Sequence, residues 1–245
     1  KLHQQNKPFI AYIQTATNHM PFTVPDEKEN YRPIKEGDIS NEIIQKSGFK
    51  SLAQINALRY LDFNVDVFLR RAKESGYYDN TIFLFFGDHN TKMNKAAFLS
   101  TNDFEFDTEL FHVPFFIHAP NFVKPQHISS YRKIVDVVPT AASLAKINYT
   151  NYTLGSNALD TISDNNFAFI YKNFNGEPGI GVLKNDFYYT LTNVTQTANL
   201  YHFNQKKVID VKEKYPLITK QMDSLLNGYY NATKYLYYNN KKLPK

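Results

Sequence analysis

The sequence predicts an α/β fold, with a mostly parallel sheet flanked by helices and a small antiparallel subdomain that ends in a helix. Residues 81–86 form a continuous apolar run, which is typical of a strand covered on both faces. Residues 51–75, just before it, carry apolar side chains at helical spacing. Residues 167–203 hold short Tyr, Phe, Thr and Val runs separated by turn residues, a pattern typical of hairpins.

The first half of the chain predicts a strand, a long loop, a helix and a second strand. Residues 8–15 are apolar and rich in β-formers, so we expect a buried strand there. Residues 26–48 are polar and turn-rich, and we expect them to be irregular. The helix over 51–75 begins after a candidate N-cap, Ser51, and ends before Gly76.

A second strand and helix follow the same pattern. Residues 113–118 are a short apolar run and predict a strand. Asp136 is a candidate cap for a helix that runs to about Lys146, and Pro139 fits only the first turn of that helix.

The pattern of apolar runs and turn residues changes near residue 150. We expect residues 1–150 to belong to the α/β domain and residues 151–245 to form the antiparallel subdomain, with a terminal helix from about Tyr215. The strands expected in this subdomain are 167–171, 180–184, 187–192 and 200–203.

Charge and composition exclude several classes of function. The 245 residues include 28 Lys and Arg against 23 Asp and Glu, and only five of the basic residues are Arg. Because base readout and bidentate phosphate clamps favour Arg, we expect no nucleic-acid partner. The chain has no Cys, which excludes a disulfide framework, a thiolate metal site and a cysteine nucleophile. No Gly-rich phosphate loop and no nucleophile-elbow motif occurs.

Two polar loops that follow predicted strands carry the candidate site. Asp88 and His89 follow the strand over 81–86, and His19 follows the strand over 8–15. Because the carboxyl ends of parallel strands meet at one edge of a sheet, we expect the three side chains to approach one another. Carboxylate oxygen and imidazole nitrogen are ligands for Zn²⁺ or Mn²⁺. The alternative is a structural turn in which the carboxylate bonds backbone amides and the histidine packs.

Several segments, in order along the chain, resemble those of one family. Residues 14–23, 59–62, 76–81 and 87–89 resemble motifs of lipoteichoic acid synthase-like phosphoglycerol transferases, which belong to the sulfatase and alkaline phosphatase superfamily. Residues 113–117, 135–140 and 200–203 resemble further elements of that superfamily. The resemblance spans about residues 8–226. It implies an alkaline phosphatase-like fold, of which the chain supplies the C-terminal portion.

The resemblance implies a metal-dependent phosphoglycerol transferase or phosphodiesterase that works through a covalent phospho-threonine enzyme. Asp88 and His89 match metal ligands of the family, and His19 matches a substrate-binding histidine. One divalent cation is implied, Mn²⁺ ahead of Zn²⁺, Mg²⁺ or Ca²⁺. The nucleophilic threonine is expected upstream of Lys1, so we expect the 245-residue chain alone to be inactive.

The resemblance also implies partners and a location. The partners are a phospholipid, an envelope glycan or glycerol acceptor, and an upstream transmembrane domain of the same protein. The location is the extracytoplasmic face of the bacterial inner membrane. Two alternatives stay open: a sulfatase or phosphoethanolamine transferase of the same superfamily, and a non-catalytic, degenerate homologue that acts as an envelope binding module.

Overall fold

The computed structural model describes most of the chain, namely residues 7–26, 30–162, 164–174, 176–205 and 207–240. The described residues fall into two compact units. The first lies within residues 1–81, 91–99 and 119–121, and the second within residues 82–90, 100–118 and 122–245. The domain boundary expected near residue 150 stays a prediction.

Two helices shape the first unit: α1, Asn41–Lys46, and α2, Leu52–Glu74. The predicted ends of α2 are confirmed. The Ser51 hydroxyl accepts the N–H of Gln54 at 3.1 Å, and Gly76, with φ at +75°, follows the helix. The short helix α1 lies in a segment that the sequence predicted to be irregular.

Tyr31 ties the loop before α1 to α2. Its ring lies edge-on to the Tyr60 ring, with the centroids 5.0 Å apart. Its hydroxyl donates to the backbone oxygen of Asn56 at 2.8 Å. The Asn56 side chain in turn bonds both the N–H and the carbonyl of Ile34 at 2.9 Å. A buried amide with both of its ends satisfied holds this loop in one register on the helix.

The strand predicted over residues 8–15 does not form, and that prediction was wrong. Ile10, Tyr12 and Ile13 are 89%, 74% and 66% exposed. An apolar run becomes a strand only when a neighbouring strand takes up its backbone hydrogen bonds and other residues cover its faces. No described residue pairs with this segment as a strand.

The second unit contains a two-stranded sheet. The strand β1, Phe83–Phe86, pairs antiparallel with β2, Phe115–His118. The α/β class is confirmed, but the mostly parallel sheet is not formed by the described residues, whose two sheets are both antiparallel. A parallel pair needs a crossover, usually a helix of some length, whereas the longest helix between these strands is α3, Thr101–Glu105.

The helix predicted after Asp136 is confirmed as α4, Val137–Leu144, with Pro139 in its first turn. The cap assigned to Asp136 was wrong. Its backbone is already helical (φ −80°, ψ −13°), whereas a side chain caps a helix from an extended backbone. The carboxylate instead accepts the N–H of Lys133 and the N–H of Ser156, each at 2.8 Å.

A four-stranded antiparallel sheet and a long helix complete the second unit, as the sequence predicted. The elements are β3, Phe167–Phe174; β4, Glu177–Lys184; β5, Phe187–Thr192; β6, Ala198–His202; and α5, Pro216–Asn239. The strands lie in the order in which they occur along the chain. Among the described helices, none is long and apolar enough to span a bilayer.

Side chains alternate between the two faces of this sheet. On one face Val182 packs with Met222 and Leu226 of α5 in a buried cluster. On the other face Leu183 packs in a second cluster that contains Phe106. Both faces are therefore covered.

Candidate metal centre

The loop over residues 87–90 follows β1 and is anchored at both ends. The Gly87 N–H donates to the carbonyl of Pro114 at 3.1 Å, and the Asn90 N–H donates to the carbonyl of Leu110 at 2.9 Å. Asp88 and His89 lie between these anchors, so the segment that leads into β2 holds their backbone in place.

Gly87 is required by close packing. A Cβ atom at this position would lie 2.9 Å from Cβ of Val113 and 3.1 Å from its Cγ1. From the sequence, Gly87 is part of the segment 87–89 that resembles a family motif. The structure adds that any side chain here would push the loop away from residue 113.

Asp88 and His89 present their side chains together on the surface. Asp88 Oδ2 lies 3.9 Å from His89 Nε2, with side-chain exposures of 71% and 57%. The His89 N–H donates to Asp88 Oδ1 at 2.9 Å, which orients the carboxylate. His89 Nδ1 lies 3.2 Å from the carbonyl of Asn90. Because a carbonyl only accepts, Nδ1 carries the proton, and Nε2 of the neutral ring keeps the lone pair that a metal ligand needs.

This donor pair fits part of a metal shell. Two ligands at roughly 2.0–2.2 Å from one ion lie at most about 4.4 Å apart, and the observed 3.9 Å is within that limit. Across the described ranges, no group of three or more His, Cys, Asp or Glu side chains converges. The geometry therefore suits two ligands of one divalent ion, and their metal role stays a prediction.

His19 lies in an exposed turn of the first unit. Its N–H donates to the carbonyl of Ala16 at 3.0 Å, and its own carbonyl accepts the N–H of Phe22 at 2.8 Å. Nδ1 lies 2.9 Å from the carbonyl of Met20, so Nδ1 is again the protonated nitrogen. Asp88 and His89 belong to the second unit. The expected approach of His19 to them stays a prediction.

Two residues that support the loop were not singled out from the sequence. The Asn90 amide donates to the backbone oxygen of Glu109 at 3.2 Å, and Glu109 is only 3% exposed. Both lie in a largely polar stretch in which the apolar residues have no regular helical or strand spacing. No local pattern there distinguishes a buried carboxylate from a solvated one.

Comparison with known proteins identifies the family. The family model described as Sulfatase matches residues 1–147, which is more than half of the chain. The chain belongs to the sulfatase family. The relatives and structural neighbours that it resembles are enzymes. This confirms the superfamily membership that the motifs predicted.

Relatives with curated names lie among the lipoteichoic acid synthases. The lipoteichoic acid synthase-like YvgJ of Bacillus subtilis (strain 168) is 29% identical over 240 residues, covering 93% of this chain and 36% of the relative. The lipoteichoic acid synthase of Staphylococcus aureus (strain USA300) is 29% identical over 159 residues, covering 62% of this chain and 23% of the relative. The chain thus spans between about a quarter and about a third of their length.

A solved structure shows the same fold. The 2-O GAG sulfatase BT1596 matches with a TM-score of 0.58 and 18% identity, over 79% of this chain and 45% of that protein. At this identity the likeness shows the sulfatase fold alone.

Proposed function

We propose that the full-length protein is a metal-dependent phosphoglycerol transferase that acts on lipid or cell-envelope substrates. The observation that carries this proposal is the coverage of the lipoteichoic acid synthase-like relative. It aligns with 93% of the chain, whereas the general sulfatase model matches residues 1–147 only. The likeness therefore extends into the C-terminal sheet and helix.

Asp88 and His89 would hold a divalent cation through Oδ2 and Nε2, and Mn²⁺ is the ion that we propose ahead of the others. Members of the superfamily typically use such an ion. When bound, the ion would neutralise phosphate oxygens and lower the pKa of an attacking hydroxyl. The chain itself supplies the orientation: the His89 N–H holds the carboxylate, and the Asn90 carbonyl holds the imidazole. The nucleophile is proposed to be a threonine of the full-length protein outside these 245 residues.

His19 is proposed to contact the substrate. Since Nδ1 lies 2.9 Å from the carbonyl of Met20, we propose that the contact to the substrate is made through Nε2. In the neutral ring Nε2 would accept a hydrogen bond from a glycerol hydroxyl, and in the charged ring it would donate one to a phosphate oxygen.

Asp88→Asn tests the metal role, because it removes the charge and keeps the size of the side chain. In the full-length protein we expect kcat/KM for release of the phosphoglycerol group from a glycerophospholipid with Mn²⁺ to fall about 100-fold or more. Asp79→Asn, a change at an exposed aspartate of the turn Tyr78–Asn80, is the matched control and should keep full activity. Unchanged turnover in Asp88→Asn would refute the assignment.

His19→Ala tests the substrate contact. We expect KM for the glycerophospholipid to rise roughly tenfold, since one hydrogen bond to a charged group contributes about 1.5–3 kcal/mol. His127→Ala, at another exposed loop histidine, should leave KM unchanged. If both variants behave alike, His19 has no part in binding.

The match to the sulfatase family model favours a second candidate, a sulfatase or another transferase of the superfamily. Sulfate esters, glycerophospholipids and phosphoethanolamine lipids, assayed side by side with Mn²⁺, separate these activities. Turnover of sulfate esters alone would favour a sulfatase. No turnover of any of them would favour the non-catalytic envelope binding module.

The cellular setting belongs to the same proposal. We place the full-length protein at the extracytoplasmic face of the membrane, anchored by a transmembrane domain upstream of this chain. Its partners would be the phospholipid donor and an envelope glycan or glycerol acceptor, with no nucleic acid.

A further inference from the structure

A polar cavity of about 350 Å³ lies in the second unit, at the end of the four-stranded sheet where β4 turns into β5. We propose that it binds a neutral polyhydroxylated ligand, such as a sugar unit, at a site that includes neither Asp88 nor His89. The volume falls within the roughly 300–1,000 Å³ of small-molecule sites. The proposal does not depend on the catalytic activity proposed above.

The floor of the cavity is held rigid by contacts between two turns. Asn185 and Asp186 form the β4–β5 loop, and Asn204 follows β6. The Phe203 N–H donates to the carbonyl of Asp186 at 2.7 Å, and the Asn204 amide donates to Asp186 Oδ1. Two of the polar groups that line the cavity are therefore oriented before any ligand binds, which lowers the entropic cost of binding.

The wall formed by Tyr131 is fixed as well. Arg132 donates to the carbonyl of Tyr131 and to the carbonyl of Ala158, each at 2.8 Å. The Tyr131 ring packs against the buried cluster that contains Phe106. A tyrosine hydroxyl is a donor at neutral pH, and burial and the Asp103 and Asp186 carboxylates raise the pKa of Tyr131 further above that range.

Asn166 lines the cavity and carries an acceptor that has no hydrogen-bond donor among the described residues. This acceptor, Oδ1, is buried. Its position is set on both sides, because the Lys133 ammonium donates to the carbonyl of Asn165 at 2.9 Å and β3 begins at the buried Phe167. Because Asn166 lines the cavity, a ligand hydroxyl that reached this amide would supply the donor that the acceptor lacks.

The donors and acceptors of the cavity select the class of ligand. Seven residues line it, all polar, and they are mostly Asn and Ser with one Tyr. Asp186 is the one charged residue among them, and the lining contains no Lys or Arg. A phosphate or sulfate would meet a negative charge without a cation to pair with. Sugar hydroxyls both donate and accept, which matches amide and hydroxyl side chains.

Titration of the full chain, labelled with ¹⁵N, by glucose, N-acetylglucosamine and glycerol tests the proposal. We expect saturable shifts of the amides of Asn185, Asp186 and Asn204 with at least one of these probes. Saturation by a sugar identifies a sugar unit as the ligand, and saturation by glycerol alone identifies a glycerol unit. No saturation by any probe, or equal shifts with inorganic phosphate, would overturn the proposal.

Three variants assign the binding to the cavity. Asn185→Gly removes one amide without strain, because φ at this residue is +52° and glycine adopts that conformation freely. Asn166→Ala removes the buried acceptor. We expect each to weaken binding about tenfold. Asn173→Ala, at an exposed position of β3, is the control and should bind as the wild type does. Unchanged affinity in both cavity variants would contradict the assignment even if a sugar binds elsewhere.

Discussion

Asp136 is a fully buried carboxylate whose charge is balanced by its immediate neighbours. It accepts two backbone N–H groups at 2.8 Å, and the Lys133 ammonium lies 3.7 Å from Oδ2. Lys133 is itself only 7% exposed in its side chain, and its Nζ lies 4.2 Å from the centroid of the Phe167 ring. Burial lowers the pKa of Lys133, and Asp136 acts in the opposite direction without cancelling the effect. The pair links the segment before α4 to the start of β3.

Asp136→Asn should lower the free energy of unfolding by about 3–5 kcal/mol, because it leaves a buried cation without its counter-charge. Asp164→Asn is the matched control. Asp164 also pairs with a lysine, Lys184 at 2.7 Å, but its side chain is 87% exposed, so the cost should stay below about 1 kcal/mol. Urea denaturation of both variants measures the difference. Equal losses would show that burial does not set the strength of this pair.

We predict that the contribution of Asp210 to the free energy of unfolding depends on pH. Burial raises the pKa of this carboxyl, but hydrogen bonds from the Lys212 and Leu200 amides and from Asn199, with the Lys212 charge, hold the pKa below its ordinary value. A lowered folded-state pKa stabilises the fold above the unfolded-state pKa of about 3.9, and the effect disappears as the pH falls through the folded-state pKa.

The stability gap between wild type and Asp210→Asn should therefore be widest near neutral pH and should close below about pH 3–4. Urea denaturation over a pH series measures it. The exposed Asp79→Asn variant should show a small gap throughout. A gap for Asp210→Asn that widens on acidification would contradict the sign.

Among the elements, two glycines show how packing decides the effect of one added methyl group. A Cβ at Gly155 would lie 1.9 Å from the carbonyl oxygen of Val135, a backbone atom that cannot move aside cheaply. A Cβ at Gly228, within α5, would meet nothing within 4 Å. Gly155→Ala should destabilise the fold by about 1–3 kcal/mol or more. Gly228→Ala should stabilise it by up to about 1 kcal/mol, since alanine favours a helix. Thermal unfolding of the two variants should give Tm shifts of opposite sign, and a shared sign would contradict this packing.

Elements with local signals were predicted well. Helix α2 has its cap at Ser51 and its stop at Gly76 within the segment, and α5 begins at Pro216, a residue suited to a first helical turn. The four strands of the C-terminal sheet are separated by turn residues. Residues 8–15 carry the same kind of apolar signal yet stay exposed, because a strand needs a partner that its own sequence does not encode.

At the scale of the whole molecule, burial is uneven and predicts where the fold is most protected. In the four-stranded sheet, Ile180, Val182 and Tyr188 are 1% exposed or less, whereas the residues around Ile10 are largely open to solvent. Amide hydrogen exchange in the 245-residue chain should be slowest in β4 and β5 and fastest over residues 8–15. Mass spectrometry of peptides from these regions measures it. Protection of residues 8–15 equal to that of β5 would show that the segment is covered in solution.

The candidate site was predictable in part. Asp88 and His89 are neighbours in sequence that follow a strand, so their meeting at 3.9 Å needed only a local turn. The expected approach of His19 rested on a parallel sheet, whereas both sheets formed by the described residues are antiparallel. Support from Asn90 and Glu109 depends on contacts between segments about twenty residues apart, which no local pattern marks.

By itself the sequence determined the family, the helices α2 and α5, the four C-terminal strands and the adjacent metal-ligand candidates. Each of these depends on residues within a few positions of one another, through caps, periodicity and motif spacing. Only the tertiary structure decided the antiparallel pairing of β1 with β2, the buried role of Asp136 and the polar cavity beside Asn166 and Asn204. A polar group bonds whichever distant segment the fold brings within about 3 Å of it, and the residues that bury a side chain also come from distant segments. Which segments meet depends on the fold of the whole chain.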